Sequence, residues 1–209
     1  MRLTSTSFSE HQPIPGEYGL CVPDPPGHAK FGDNRNPPLR WSGLPSGTRS
    51  LVLICHDPDA PSRRDDANQE GRTVPRDLAR VDFFHWVLVD VSRQSEGLDA
   101  GQFSDGVTPR GKAGPAAPNG TRQGLNSYTE WFAGDASMDG HYFGYDGPCP
   151  PWNDEIPHRY LFTLYALDVE RCSAEGTFGG PDVLRAIEGH VLDRASLTGT
   201  YSLNPAVRP

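Results

Sequence analysis

"SLVLICHDPDAPS", Ser50 to Ser62, starts as an apolar run and closes on two carboxylates, Asp57 and Asp59, each followed within two residues by a proline. The run from Leu51 to Cys55 is short for a buried helix and rich in leucine and β-branched residues, so it reads as a strand. Proline fixes φ and donates no hydrogen bond. The strand is therefore expected to end at Asp57, with the carboxylates in a turn.

Two further runs have the same character: "FFHWVLV" at 83–89 and "RYLFTLYAL" at 159–167. "NPPLRWSGLPSG" at 36–47 reads as an edge or irregular strand entering a turn. "SLTGTYSL" at 196–203 reads as a last strand, with Leu197, Gly199, Tyr201 and Leu203 on one side. One helix is expected after Gly179 and Gly180. Pro181 suits its first position, Asp182 complements its positive end, and Val183, Leu184, Ile187 and Val191 recur on one face. The segments 62–80 and 92–127 mix charges with turn residues and read as solvated surface connections. The outcome is a single, mainly β domain.

Composition agrees with a loop-rich globular chain: 23 glycines and 21 prolines in 209 residues are spread without a period beside 35% hydrophobic residues. A formal charge of -8 weighs against a nucleic-acid surface, which needs lysine and arginine. No window approaches the roughly 18 apolar residues of a spanning helix, and the first residues lack a signal-peptide core, so a cytoplasmic location is the default. The four cysteines show no C-x-x-C spacing and are expected to be reduced.

Chemistry concentrates at strand ends. In a regular strand His85 shares a face with Val87 and Val89, where burying an imidazole without a partner is costly. His158 and Tyr160 project together from one face of the 159–167 strand. With Asp57 they converge on a small polar cavity if the three strands are neighbours. Before His158 runs "YDGPCPPWNDEIP", Tyr145 to Pro157. Its prolines stiffen it, and its few free N–H groups, including that of Cys149, suit an oxyanion.

In chain order, "DPDAPS", the "HW" of "HWVLVD", "GPCPP" followed by "HRYLFTLYALD", and "GHVLDRASLTGTYS" resemble the phosphatidylethanolamine-binding proteins. The bacterial Raf-kinase-inhibitor-like members of the YbhB/YbcL type are the most similar, from about Asn34 to Leu203. The resemblance implies an antiparallel β-sandwich with one or two short peripheral helices and a pocket for phosphate and related anions, without cofactor, metal or catalysis. Carried over by motif, ligand contacts fall to Asp57, Pro61, His85, Gly147, Cys149, Pro150, His158 and Tyr160, with Asp59 bracing the turn. The implied ligand is a phosphate-bearing small molecule or phospholipid headgroup. A protein partner and a homodimer are suggested by relatives alone. This chain departs in the long connection of 23 residues between Pro61 and His85.

Charged histidines would make headgroup binding weaken as pH rises from about 6 toward 8, since free imidazole titrates near 6.5. Two other chemistries use the same residues. Two histidines and Asp57 could form a facial triad for a divalent ion, and Cys149 with His158 and Asp57 could act as a thiol hydrolase.

Overall fold

The computed structural model describes residues 1–208. Along them run β1 (Arg2–Thr4), β2 (Gln12–Pro13), β3 (Cys21–Asp24), β4 (His28–Phe31), β5 (Leu39–Ser42), β6 (Ser50–Pro61), β7 (Arg80–Ser92), β8 (Gly97–Leu98), β9 (Arg122–Gln123), α1 (Tyr128–Trp131), β10 (His158–Leu167), α2 (Gly180–Ala186) and β11 (Val191–Tyr201). The main sheet has the order β2-β11-β10-β6-β7-β9. All its pairs are antiparallel except the short β11–β2 pair. A second sheet, β1-β5-β8, shares no strand ladder with it, and β3 and β4 form a hairpin.

The three apolar runs of the sequence are the three central strands of the main sheet. Both faces of that sheet are covered, which explains why the runs are nearly continuous in apolar residues rather than alternating with polar ones. Leu51, Leu53 and Cys55 of β6 join Trp86, Leu88, Phe162 and Leu164 in a core capped by Leu3, Leu39 and Trp41 of the second sheet. Val52 and Ile54 face the other way, onto Val87, Val89, Phe178 and the α2 residue Val183. The architecture is thus a mainly β sandwich with two short helices at its periphery.

Three local expectations are corrected. β6 does not stop at Asp57; it pairs with β7 through Pro61, by way of register shifts between Cys55 and His56 and between Asp57 and Ala60. Pro58 falls inside the second shift, where the ladder is interrupted and its missing N–H costs nothing. "LRWS" is the middle strand of its sheet, between β1 and β8, and not an edge. The helix is shorter than its periodicity suggests. Ile187 caps it, Gly189 follows at φ +81°, and Val191 opens β11, so Leu184 and Val191 stay exposed while Val183 and Ile187 are buried.

The expectation of four reduced cysteines is also overturned. Cys21 and Cys149, 128 positions apart, form a disulfide, while Cys55 and Cys172 are free and buried. The bridge ties the proline loop to β3. No spacing rule could reveal it, because the partners meet only through the fold.

The 62–79 connection is not merely solvated. Its centre is pinned by one amide: Asn153 Nδ2 donates to the carbonyls of Asp66, Gln69 and Arg72 at 2.8, 3.3 and 3.0 Å, and its Oδ1 accepts from the Asn68 N–H at 2.9 Å. Asn68 in turn accepts from the Trp152 N–H, and Val74 is buried. Asn153→Ala should cost about 1–3 kcal/mol, since it removes four hydrogen bonds to partly buried backbone groups. Limited proteolysis should then cut within 62–79 faster than in the wild type. An unchanged cleavage rate would show that the loop is held elsewhere.

Candidate functional site

β6, β7 and β10 bring Asp57, His85, His158 and Tyr160 to one end of the sandwich. The cavity there and its mouth enclose about 310 Å³, and Pro61, Cys149 and Pro150 also line it. Gly147 does not. Its N–H is taken by Asn34 Oδ1 at 2.9 Å and its carbonyl by the Tyr128 hydroxyl at 2.8 Å. A Cβ on Gly147 would lie 1.9 Å from the Tyr18 carbonyl, so glycine is required there by close backbone approach.

His85 does not share a face with Val87 and Val89. The register shift opposite His56 makes it the extra residue of a bulge, so it turns to the same side as Trp86, onto Phe83, Tyr128 and Tyr160. Bulges re-aim side chains in this way. Its Nδ1 lies 2.8 Å from the Asp146 carbonyl. A carbonyl only accepts, so Nδ1 carries the hydrogen and Nε2 presents a lone pair; Nε2 has no hydrogen-bonding partner among the described residues. Burial pushes the His85 pKa below its ordinary value, more than Asp57 and Asp146 raise it.

His158 is the opposite case. Its Nδ1 lies 2.7 Å from Asp57 Oδ2 and its Nε2 3.1 Å from Asp154 Oδ2, with all three side chains buried. Both ring nitrogens therefore donate, and the ring is an imidazolium. Burial opposes the charge, but the two carboxylates outweigh it and raise the pKa to about 9. Behind the clamp, Arg80 grips Asp154 with bonds of 2.6 and 3.0 Å. Asp57 Oδ1 accepts the Asp59 N–H at 2.7 Å. Asp59 itself is held by Arg159 through its backbone N–H, Nε and a terminal nitrogen, and so braces the rim without lining the cavity.

These states correct the expected pH response. Between about pH 6 and 8 His158 stays charged with both protons engaged, and burial favours neutral His85. Neither imidazole supplies a free positive charge that fades across that range.

Tyr160 contributes what remains. Its hydroxyl is fully buried and has no hydrogen-bonding partner, which is rare and costly in a folded protein. The Cys149 N–H is likewise without a partner among the described residues. Phe83, Tyr128 and Trp131 build an aromatic wall, Phe83 meeting Tyr128 edge-on at 4.9 Å and Trp131 at 6.2 Å.

Several supporting residues carry no sequence signal. The buried Asp146 carboxylate accepts from Asn34 Nδ2 at 2.7 Å and Asn126 Nδ2 at 2.8 Å and pairs with Lys112 at 3.0 Å. Its backbone carbonyl orients His85, so this network sets the ring. Asp154 lies four residues before His158, but the segment between them is not helical, so only the loop's path brings the two side chains together. The other two chemistries lose their key atoms. Cys149 has no thiol, being bridged to Cys21. Both His158 nitrogens are committed to carboxylates, and no group of three His, Cys, Asp or Glu among the described residues is arranged to hold a metal ion.

The sequence of this chain matches a protein-family profile. That of the phosphatidylethanolamine-binding proteins covers residues 4–202, and the chain belongs to this family. Among curated relatives, a "UPF0098 protein" of Methanothermobacter thermautotrophicus is 35% identical over 201 residues, covering 96% of this chain and 98% of its own. The UPF0098 protein YbhB of Escherichia coli is 31% identical, covering 97% of this chain and all of its own. The crystal structure of a putative phosphatidylethanolamine-binding protein homologue from Chlamydia trachomatis superposes with a TM-score of 0.64 at 30% identity, over 96% of both chains. Escherichia coli YbcL shares the fold, with a TM-score of 0.67 at 24% identity over 96% of this chain and 97% of its own.

Proposed function

We propose that the chain is a non-catalytic binding protein for a small acidic headgroup, a phosphate monoester such as that of phosphoethanolamine. The single observation that carries this reading is the buried, unpartnered Tyr160 hydroxyl in a cavity also lined by Cys149, whose N–H makes no hydrogen bond among the described residues. A buried group with no partner within the protein is satisfied when a ligand oxygen accepts from it. The name of the family supports a phospholipid headgroup, and the aromatic wall of Phe83, Tyr128 and Trp131 suits the apolar remainder of such a molecule. The His158 imidazolium that lines the cavity is already paired with Asp57 and Asp154, so affinity rests on directed hydrogen bonds more than on net charge. Disulfides persist where thiols are not kept reduced, so the Cys21–Cys149 bridge favours an oxidising compartment over the cytoplasm.

Tyr160→Phe tests the reading. It keeps the ring and removes a hydroxyl that makes no bond, so the unliganded protein should be as stable as the wild type or more stable by about 1 kcal/mol. Calorimetric titration with phosphoethanolamine should show about tenfold weaker binding, the loss of roughly one hydrogen bond. Equal affinity in both proteins would remove Tyr160 from the site and the reading with it.

A further inference from the structure

We infer that the cavity selects acidic ligands that carry a proton on the oxygen they present, taking a monoprotonated phosphate ester over a sulfate ester of the same charge, because His85 Nε2 and Asp57 can only accept. This rests on the headgroup-binding reading and narrows its substrate class.

The groups facing His85 come from every element around it. Asp57 on β6 is a carboxylate, each oxygen of which already accepts one bond, from Asp59 N–H and from His158. His158 and Tyr160 on β10 are, respectively, an imidazolium with no free N–H and a lone hydroxyl. Tyr128 on α1 spends its hydroxyl on the Gly147 carbonyl. Asp146, in the proline loop, holds His85 Nδ1–H with its carbonyl, while its carboxylate is occupied by Asn34, Asn126 and Lys112. Among the described residues, the donors left for an oxyanion are Tyr160 O–H, Cys149 N–H and the indole N–H of Trp131, which lines the cavity without a hydrogen-bond partner. The open positions at His85 Nε2 and Asp57 are lone pairs.

A bare anionic oxygen placed there meets lone pair against lone pair, unless His85 takes up a proton, and its burial opposes that. A P–OH group donates instead and satisfies the acceptor. Sites built to bond a ligand hydrogen reject analogues that lack it, because their own buried groups are left unpaired. The proton thus becomes the recognised feature.

Methyl phosphate and methyl sulfate separate this from simple charge attraction. Below the second phosphate pKa of about 6 both are monoanions of similar shape, and only the phosphate carries a hydroxyl. Titrated calorimetrically at pH 5, methyl phosphate should bind at least about tenfold more tightly than methyl sulfate. At pH 8 methyl phosphate has lost its proton, and its affinity should fall by about tenfold. His85→Gln, whose amide can turn an N–H toward the ligand, should bring the two esters to similar affinity at pH 5. Equal affinities for both esters in the wild type at pH 5, or tighter binding of the sulfate, would overturn the inference and leave headgroup binding standing. Binding of neither ester would overturn headgroup binding and the inference together.

Discussion

Asp154→Ala should be the most damaging single substitution near the cavity, lowering stability by about 3–5 kcal/mol, because it leaves buried His158 and largely buried Arg80 without their shared partner. Arg80 and His158 both direct hydrogen bonds at Asp154, whose side chain is 1% exposed. Arg80 would keep its bonds to the Asp59 and Pro75 carbonyls. Those dipoles do not replace a carboxylate. Hydrogen bonds from His158 and Arg80 hold the Asp154 pKa below its usual value against the opposing effect of burial, so the native state favours its charged form. Urea unfolding of Asp154→Ala and Asp154→Asn against the wild type measures the cost. A loss under about 1 kcal/mol would mean that water reaches Arg80 and His158 once the carboxylate is gone.

The second large effect is a loss of stability in mild alkali. His158 titrates near 6.5 when unfolded and at about 9 when folded, so the native state binds its proton more tightly. Such a group stabilises fully below about pH 6.5, and its contribution is lost as pH rises through about 9. The shift corresponds to about 3 kcal/mol. His85 has the opposite sign: its folded pKa is depressed, so it stabilises above about pH 6.5 and loses that contribution as pH falls through its lowered value. Stability should therefore be greatest between these two titrations and fall on either side. His158→Gln should flatten the alkaline limb. Thermal unfolding followed from pH 5 to 10 would falsify this assignment if wild type and variant declined in parallel above pH 8.

Tyr160→Phe complements both. Asp154 and His158 hold the site together, whereas the Tyr160 hydroxyl, which has no partner within the protein, is kept at a cost to stability. Functional groups often carry such a cost.

Much of the fold is legible in the chain. The runs at 51–55, 83–89 and 159–167 become β6, β7 and β10 because each is apolar on both faces, as the centre of a doubly covered sheet requires. The gathering of Asp57, His158 and Tyr160 follows once those strands are neighbours, whereas His85 joins them only through the bulge in β7. Local errors arose where long-range pairing overrode local pattern. β6 continues past Asp57 because β7 offers partners as far as Arg80, and Leu184 fits a helical stripe that α2 is too short to use.

By itself, then, the sequence determined the strands, the class of fold and most of the side chains around the cavity, since these follow from periodicity, turn chemistry and motif order. Tertiary structure alone decided their chemical states. Whether a histidine is a charged donor or a neutral acceptor depends on partners that the chain brings from far away, Asp57 to His158 and Asp146 to His85. The Cys21–Cys149 bridge and the Asn34–Asp146–Asn126 network likewise join residues whose separation in sequence says nothing of their distance in space. Protonation and pairing are set by the local field and by desolvation, and neither exists until the chain has closed around them.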